Sequence, residues 1–285
     1  MSDPEIRACP RICYVAFPNL SKEAPLTIAA QLRIPRSDAP VPAVVIVHGT
    51  SGVDSRGAFH AQALNDAGFA TLELDMWSPR QLHGGVGTGG RPENVPETLP
   101  DAFGALVYLA SRPEIDAQRI GITGFSWGGV VSMLTATRPY CEQYLADQPL
   151  RFAAHAPFYP VCWGYNRLPG YEFAELTGAP VFIQSGECDT YDEPDSCARL
   201  RQSLSAEARQ HLDVAMYPDA THAFDRMEPT QVVNDPFAYL GRGGEVKMAA
   251  NPEVAATARQ AAVAFFEQAF SRVRAGSAPT VTSGA

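Results

Sequence analysis

Arg119-Ile120-Gly121-Ile122-Thr123-Gly124-Phe125-Ser126-Trp127-Gly128-Gly129 is the stretch on which the fold turns. Ile120–Thr123 is a short apolar run of the kind a buried strand needs, and Val130–Thr137 reads as a helix. The turn between them is too cramped for Cβ atoms on either side of the serine, which is why glycines flank it. A strand, this G-x-S-x-G turn and a helix together lift a serine hydroxyl above the end of a sheet. The five-residue pattern alone is common by chance, so its flanks and the residues downstream carry the weight.

Working outward, apolar runs alternate with amphipathic stretches along most of the chain, the signature of βαβ units and a mainly parallel sheet. Leu26–Ile34 alternates like an outer strand, and Ala43–Val47 is a continuous run suited to a strand buried on both faces. Strands are further expected at Phe69–Leu74, Phe152–Ala156, Val181–Ser185 and Leu212–Tyr217. Helices are expected at Gly57–Ala67, Pro100–Ser111 and, last, from Pro252 to Val273. Two segments interrupt the rhythm: Leu82–Pro100, rich in Gly and Pro, and Thr230–Asn251. Both are too long for plain connections and are expected to border a pocket. The pattern predicts one α/β domain over 26–274, preceded by an N-terminal extension (1–25) and followed by a disordered tail (275–285).

The chain has 285 residues, enough for one large α/β domain and short for two. Its 46% hydrophobic and 19% charged content is that of an ordinary globular protein. A net charge of −9 without a basic cluster argues against nucleic acid or an anionic membrane as partner. The polar, acidic start (Met1–Pro10) has no apolar core of a leader, and the expected location is cytoplasmic. Lys22 and Lys247 are the only lysines, both in expected loops, which disfavours Schiff-base or Ser–Lys chemistry. The six cysteines are too dispersed for a metal knuckle, so no metal and no cofactor is expected. They read mainly as incidental thiols. A Cys162–Cys197 disulfide is the alternative, because both fall in loops at one sheet edge.

A serine needs a base to take its proton, and the imidazole in turn needs a carboxylate to hold its tautomer. In a parallel sheet with this turn the order along the chain is Ser, acid, His. His222 follows the last expected strand, in Tyr217-Pro218-Asp219-Ala220-Thr221-His222, and is the candidate base. His48 reads as structural, His60 and His211 as helix-associated and solvent-facing, and His155 as a core residue; His83 lies in the Gly-rich loop, within reach of a substrate. The acid is expected just past Val181–Ser185: Asp189 first, Asp192 as the alternative, then Glu187, with helix capping the competing role for these carboxylates. An oxyanion needs two backbone N–H donors. Trp127 is one candidate and Thr50 the other, with Ser51 as its alternative.

With these residues in place, the chain resembles the dienelactone hydrolase family of α/β-hydrolases from about Leu26 to Phe270. The resemblance rests on Gly124-x-Ser126-x-Gly128-Gly129, Gly186-x-x-Asp189, Thr221-His222-Ala223-Phe224 and Asp75-Met76-Trp77-Ser78-Pro79-Arg80-Gln81. It implies the α/β-hydrolase fold, hydrolysis of a small ester or lactone as substrate, and a monomer or homodimer. It also implies Arg80 as the counterpart of an arginine that binds the substrate carboxylate, a structural ion pair being the other reading. Family members carry a cysteine nucleophile and a glutamate that activates it; here Ser126 and Gly49 stand at those places. The thiolate mechanism therefore gives way to a Ser-His-Asp one. Trp77, Trp163, Tyr159 and Tyr191 fall near the catalytic edge and are the candidate substrate-binding aromatics, some of which are expected only to pack under loops.

Overall fold

The computed structural model describes residues 9–85, 89–146 and 148–276. Eight strands form one sheet: β1 (Arg11–Pro18), β2 (Thr27–Ile34), β3 (Val41–Val47), β4 (Ala70–Asp75), β5 (Ile115–Phe125), β6 (Ala154–Phe158), β7 (Val181–Gly186) and β8 (Leu212–Tyr217). Their order is β1-β2-β4-β3-β5-β6-β7-β8. The pairs β1–β2 and β2–β4 are antiparallel, and every pair from β4 to β8 is parallel. The helices are α1 (Ser55–Asp66), α2 (Leu99–Ala110), α3 (Trp127–Leu134), α4 (Arg138–Leu145), α5 (Ser196–Ser203), α6 (Ala206–Arg209), α7 (Ala238–Gly241) and α8 (Pro252–Gly276). A separate hairpin, β9 (Gln231–Asp235) with β10 (Gly244–Met248), fills the excursion before α8.

The all-apolar run of β3 exists because the strand is covered on both faces. Val45 and Val47 pack into one core with α2 and α3, while Val44 and Ile46 face the other, against α1 and α8. Along α8 the buried Ala255, Ala258, Ala262, Phe266 and Ala269 recur every three or four positions, with Val263 and Phe270 beside them, the spacing of one helical face. Phe266 comes so close to β5 that a Cβ on Gly121 would lie 2.5 Å from its ring. Among the described residues, no helix is long and apolar enough to cross a membrane.

The structure differs from the sequence reading in three places. Arg11–Pro18, expected in an N-terminal extension, is the edge strand of the sheet. The expected disordered tail falls outside the described residues from 277 onward, and α8 itself continues to Gly276. Cys162 and Cys197 are joined as a disulfide, with Cα atoms 5.0 Å apart.

Candidate active site

Parallel strands β3 to β8 end on one edge of the sheet, and the candidate residues follow from those ends. Ser126 directly follows β5 and caps α3, with φ 53° and ψ −109°. A non-glycine residue rarely occupies this region, and the strain is held by the surroundings. Ser126 N–H donates to Phe158 O (3.0 Å), and Val130 N–H to Ser126 O (2.9 Å). A Cβ on Gly128 would lie 2.1 Å from Val47 O, and one on Gly124 2.3 Å from Gly128 O. The glycines thus let α3, the Ser126 turn and β3 approach one another.

His222 lies in the turn after β8, buried, between the rings of Tyr159 (centroids 4.7 Å apart) and Tyr191 (4.5 Å). Its Nδ1 is 2.7 Å from Asp189 Oδ2, and both side chains are buried. Nδ1–H donates to that carboxylate, so the neutral ring carries its lone pair on Nε2. Nε2 is buried and has no hydrogen-bond partner among the described residues. In particular, no hydrogen bond joins it to Ser126 Oγ. The loops that carry Asp189 and His222 are packed backbone to backbone: a Cβ on Gly186 would lie 2.1 Å from Ala220 O, and Cys188 N–H donates to Ala220 O at 2.9 Å. This close approach is the reason for glycine in Gly186-x-x-Asp189.

Asp192, the alternative acid, is engaged elsewhere. Its oxygens accept Cys162 N–H (2.6 Å) and Trp163 N–H (2.8 Å). Burial, with Asp189 nearby, pushes its carboxyl up to about 7. It braces the turn that bears Trp163, and among the described residues no hydrogen bond joins it to His222. Thr50 belongs to the loop after β3. Its carbonyl accepts Trp77 Nε1–H (3.0 Å) and Gly85 N–H (2.9 Å), which fixes the local backbone.

A tight cavity of about 70 Å³ opens at Ser126, lined also by Thr50, Trp127, Trp163, Tyr191 and Arg91. Val95, Val130, Val161, Leu168, Tyr171 and Phe237 supply most of its apolar wall. A larger open concavity of about 750 Å³ lies at the other end of β3, around Arg11, Arg36 and Glu114, and contains none of the candidate residues.

His222 and Asp189 lie behind the lining of the Ser126 cavity, and three of the candidate substrate-binding residues are absent from it as well. Arg80 is spent on Asp101 (2.6 Å) and on the carbonyls of Met76 and Glu97, so it is the structural ion pair. Trp77 is buried against Trp127 and His48. Tyr159 is fully buried, its hydroxyl donating to Asp225 and accepting from Arg56. Burial and the Asp225 charge hold that phenol protonated, well above its ordinary value.

Of the other histidines, His48 is structural as expected: Nδ1 donates to Gly49 O (2.8 Å), and Nε2 accepts Met76 N–H (3.0 Å). His155 sits in the core of β6 with Nδ1 on Ser132 O. His60 departs from its expected exposure. It is buried and pairs with Asp225 at 2.8 Å, beneath the site and 165 positions away in sequence, a partnership that local periodicity cannot reveal. Sequence reasoning also missed Arg91. The only available signal was a cation beside Pro92 in the Gly-rich segment that was expected to border the pocket.

The sheet order, the strained serine between β5 and α3, and the histidine after the last parallel strand define an α/β-hydrolase. The sequence model of the dienelactone hydrolase family matches residues 28–270. The chain belongs to that family, and it is a hydrolase. An Escherichia coli K12 protein provisionally named carboxymethylenebutenolidase is 27% identical over 230 residues, which cover 74% of this chain and 77% of the relative. A Klebsiella pneumoniae structure provisionally named dienelactone hydrolase superposes with a TM-score of 0.61 at 20% identity, covering 90% of this chain and 99% of the other. A dienelactone-hydrolase-like promiscuous phosphotriesterase from metagenomic libraries gives 0.59 at 18% identity, covering 92% and 99%. At such identities the two structures speak for the fold.

Proposed function

We propose that Ser126, His222 and Asp189 form a catalytic triad that hydrolyses a small carboxylic ester or lactone through an acyl-enzyme. The observation that carries this reading is the buried His222–Asp189 pair at 2.7 Å, which leaves Nε2 as the free basic nitrogen on the edge that holds Ser126. Ser126 Oγ attacks the acyl carbon as Nε2 takes its proton. The tetrahedral oxyanion is received by the N–H groups of Trp127 and Thr50, each worth about 3–4 kcal/mol of transition-state stabilisation in enzymes of this logic. The leaving alkoxide takes the proton from Nε2, and water repeats the sequence to release the acid. Asp189 holds the ring in this tautomer and stabilises the imidazolium.

A cavity of about 70 Å³ walled by Trp127, Trp163, Tyr191 and Phe237 suits a compact, largely apolar substrate portion. Carboxymethylenebutenolidase, the name of the relative, denotes a lactone hydrolase. A lactone therefore belongs in the substrate screen, although Arg80 is occupied by Asp101 and offers no free fork to a substrate carboxylate.

Wild type and Ser126→Ala should be compared on p-nitrophenyl acetate and butyrate, with mass spectrometry after fluorophosphonate labelling. The expected result is activity abolished by the substitution and a single adduct on Ser126. Equal rates with no adduct would refute the triad.

A further inference from the structure

Arg91 is a cation in the wall of the Ser126 cavity to which neither the fold nor the triad assigns a task. Its guanidinium lies over two aromatic rings, Trp127 at 5.3 Å and Phe237 at 5.5 Å from the centroids. Nη1 donates to Thr50 Oγ1 at 3.2 Å. Nη2 is 3.7 Å from Asp235 Oδ2, a carboxylate itself held by Tyr191 Oη–H at 2.8 Å and by Phe237 N–H at 2.9 Å. The side chain is 13% exposed, so these contacts are made largely out of water. Arg91 therefore touches both residues whose backbone amides are the candidate oxyanion donors: Thr50 by a hydrogen bond and Trp127 by ring stacking.

The two donors come from separate elements. Trp127 N–H belongs to the first turn of α3, a helix that fixes it. Thr50 lies in a turn after β3 that Gly52 N–H closes on Gly49 O (3.0 Å); its carbonyl accepts from Trp77 and Gly85, and its side chain is tied down by Arg91 through Oγ1. A donor helps only if it already points to the place where charge will develop, because reorganisation at the moment of reaction cancels the gain. A planar, always-charged guanidinium stacked on the ring of one donor residue and bonded to the side chain of the other sets their separation.

We propose that Arg91 is a positioning residue that holds the Thr50 loop in register with Trp127 and so forms the oxyanion site. It acts through Thr50 rather than on the substrate. The proposal rests on the triad reading, and stoichiometric fluorophosphonate labelling of wild-type Ser126 tests that reading independently of Arg91.

The experiment measures kcat and KM for Arg91→Met, Thr50→Val and the double variant. The two substrates are p-nitrophenyl acetate and p-nitrophenyl hydrogen succinate, which carries a free carboxylate. Positioning predicts that Arg91→Met lowers kcat on both esters by about 10- to 100-fold, below the loss for deleting a donor outright, with KM moved about twofold or less. Thr50→Val, which keeps the branched shape and removes the acceptor, should give a smaller loss of the same kind. The double variant should be no worse than Arg91→Met alone, because the two residues act as one unit. A loss confined to KM for the succinate ester would make Arg91 a substrate clamp and overturn the proposal, as would additive losses or an unchanged kcat. If Arg91→Met loses its native circular dichroism, Thr50→Val alone decides: a kcat as in wild type on both esters refutes the link.

Discussion

Asp192 shows how two neighbouring carboxylates divide their labour by surroundings. Asp189 receives the His222 imidazole and Tyr191 N–H, whereas Asp192 is turned to the Cys162–Trp163 backbone. Burial first, then the charge of Asp189, raises its carboxyl from 3.8 to about 7. Between those values the native protein holds a proton that the unfolded chain has released, so native stability falls as pH rises from about 4 to 7. Asparagine mimics the protonated form. Asp192→Asn should therefore retain hydrolysis and lose this component, becoming relatively more stable than wild type at pH 8 than at pH 4. Urea midpoints of the two proteins at both pH values check it; a constant difference would show that Asp192 does not titrate in this range. At this scale the places of the candidate residues were largely legible. Ser126, His222 and Asp189 sit at fixed offsets from strand ends, and glycines mark where backbones touch. Partnerships across the fold were not: Arg80 with Asp101 and Arg91 with Thr50 join loops whose meeting depends on tertiary packing.

Among the elements, strands β3 to β7 could be read because each holds a run buried on two faces, and the half-buried edge strand β8 because Leu212–Tyr217 is still mostly apolar. The edge strand β1 could not. Of Arg11-Ile12-Cys13-Tyr14-Val15-Ala16-Phe17-Pro18 only Phe17 is buried, with Cys13 and Val15 half-buried on the same face, and the exposed positions Ile12, Tyr14 and Ala16 are apolar too, so no apolar–polar alternation announces the strand. The β9–β10 hairpin was hidden for a similar reason, its outer positions being exposed, yet it brings Asp235 to the cavity wall. Holding that wall is partly covalent. The Cys162–Cys197 bond closes a 35-residue separation between the turn that bears Trp163 and the start of α5. In the chain-entropy picture a loop of this length stabilises the fold by roughly 4 kcal/mol. A thiol reductant is expected to lower the urea midpoint of wild type and to leave that of Cys162→Ser unchanged, near the reduced wild-type value. If the oxidised protein and Cys162→Ser unfold together, the bond contributes nothing.

For the molecule as a whole, acid is the condition to which the architecture is most sensitive. Burial lowers His48 and His155 from 6.5 to about 4. The unfolded chain binds those protons first, so their contribution to stability is complete above about 6.5 and is lost as pH falls to about 4. Over the same interval the net charge, −9 at pH 7, passes through zero near pH 5.2. Strand β1 has a partner on one side only, and Ile12 and Tyr14 stand 55% and 83% exposed on it. An open edge is a template for any other strand, and mutual repulsion between molecules is what keeps such edges apart. The colloidal consequence is a solution that clouds before it denatures. Light scattering should rise near pH 5 while circular dichroism is still native, and 0.2 M salt at pH 8, which screens the same repulsion to about a 7 Å range, should bring part of that association without any protonation. A clear solution throughout would mean that the flanking Pro10 and Arg11 already blunt the edge.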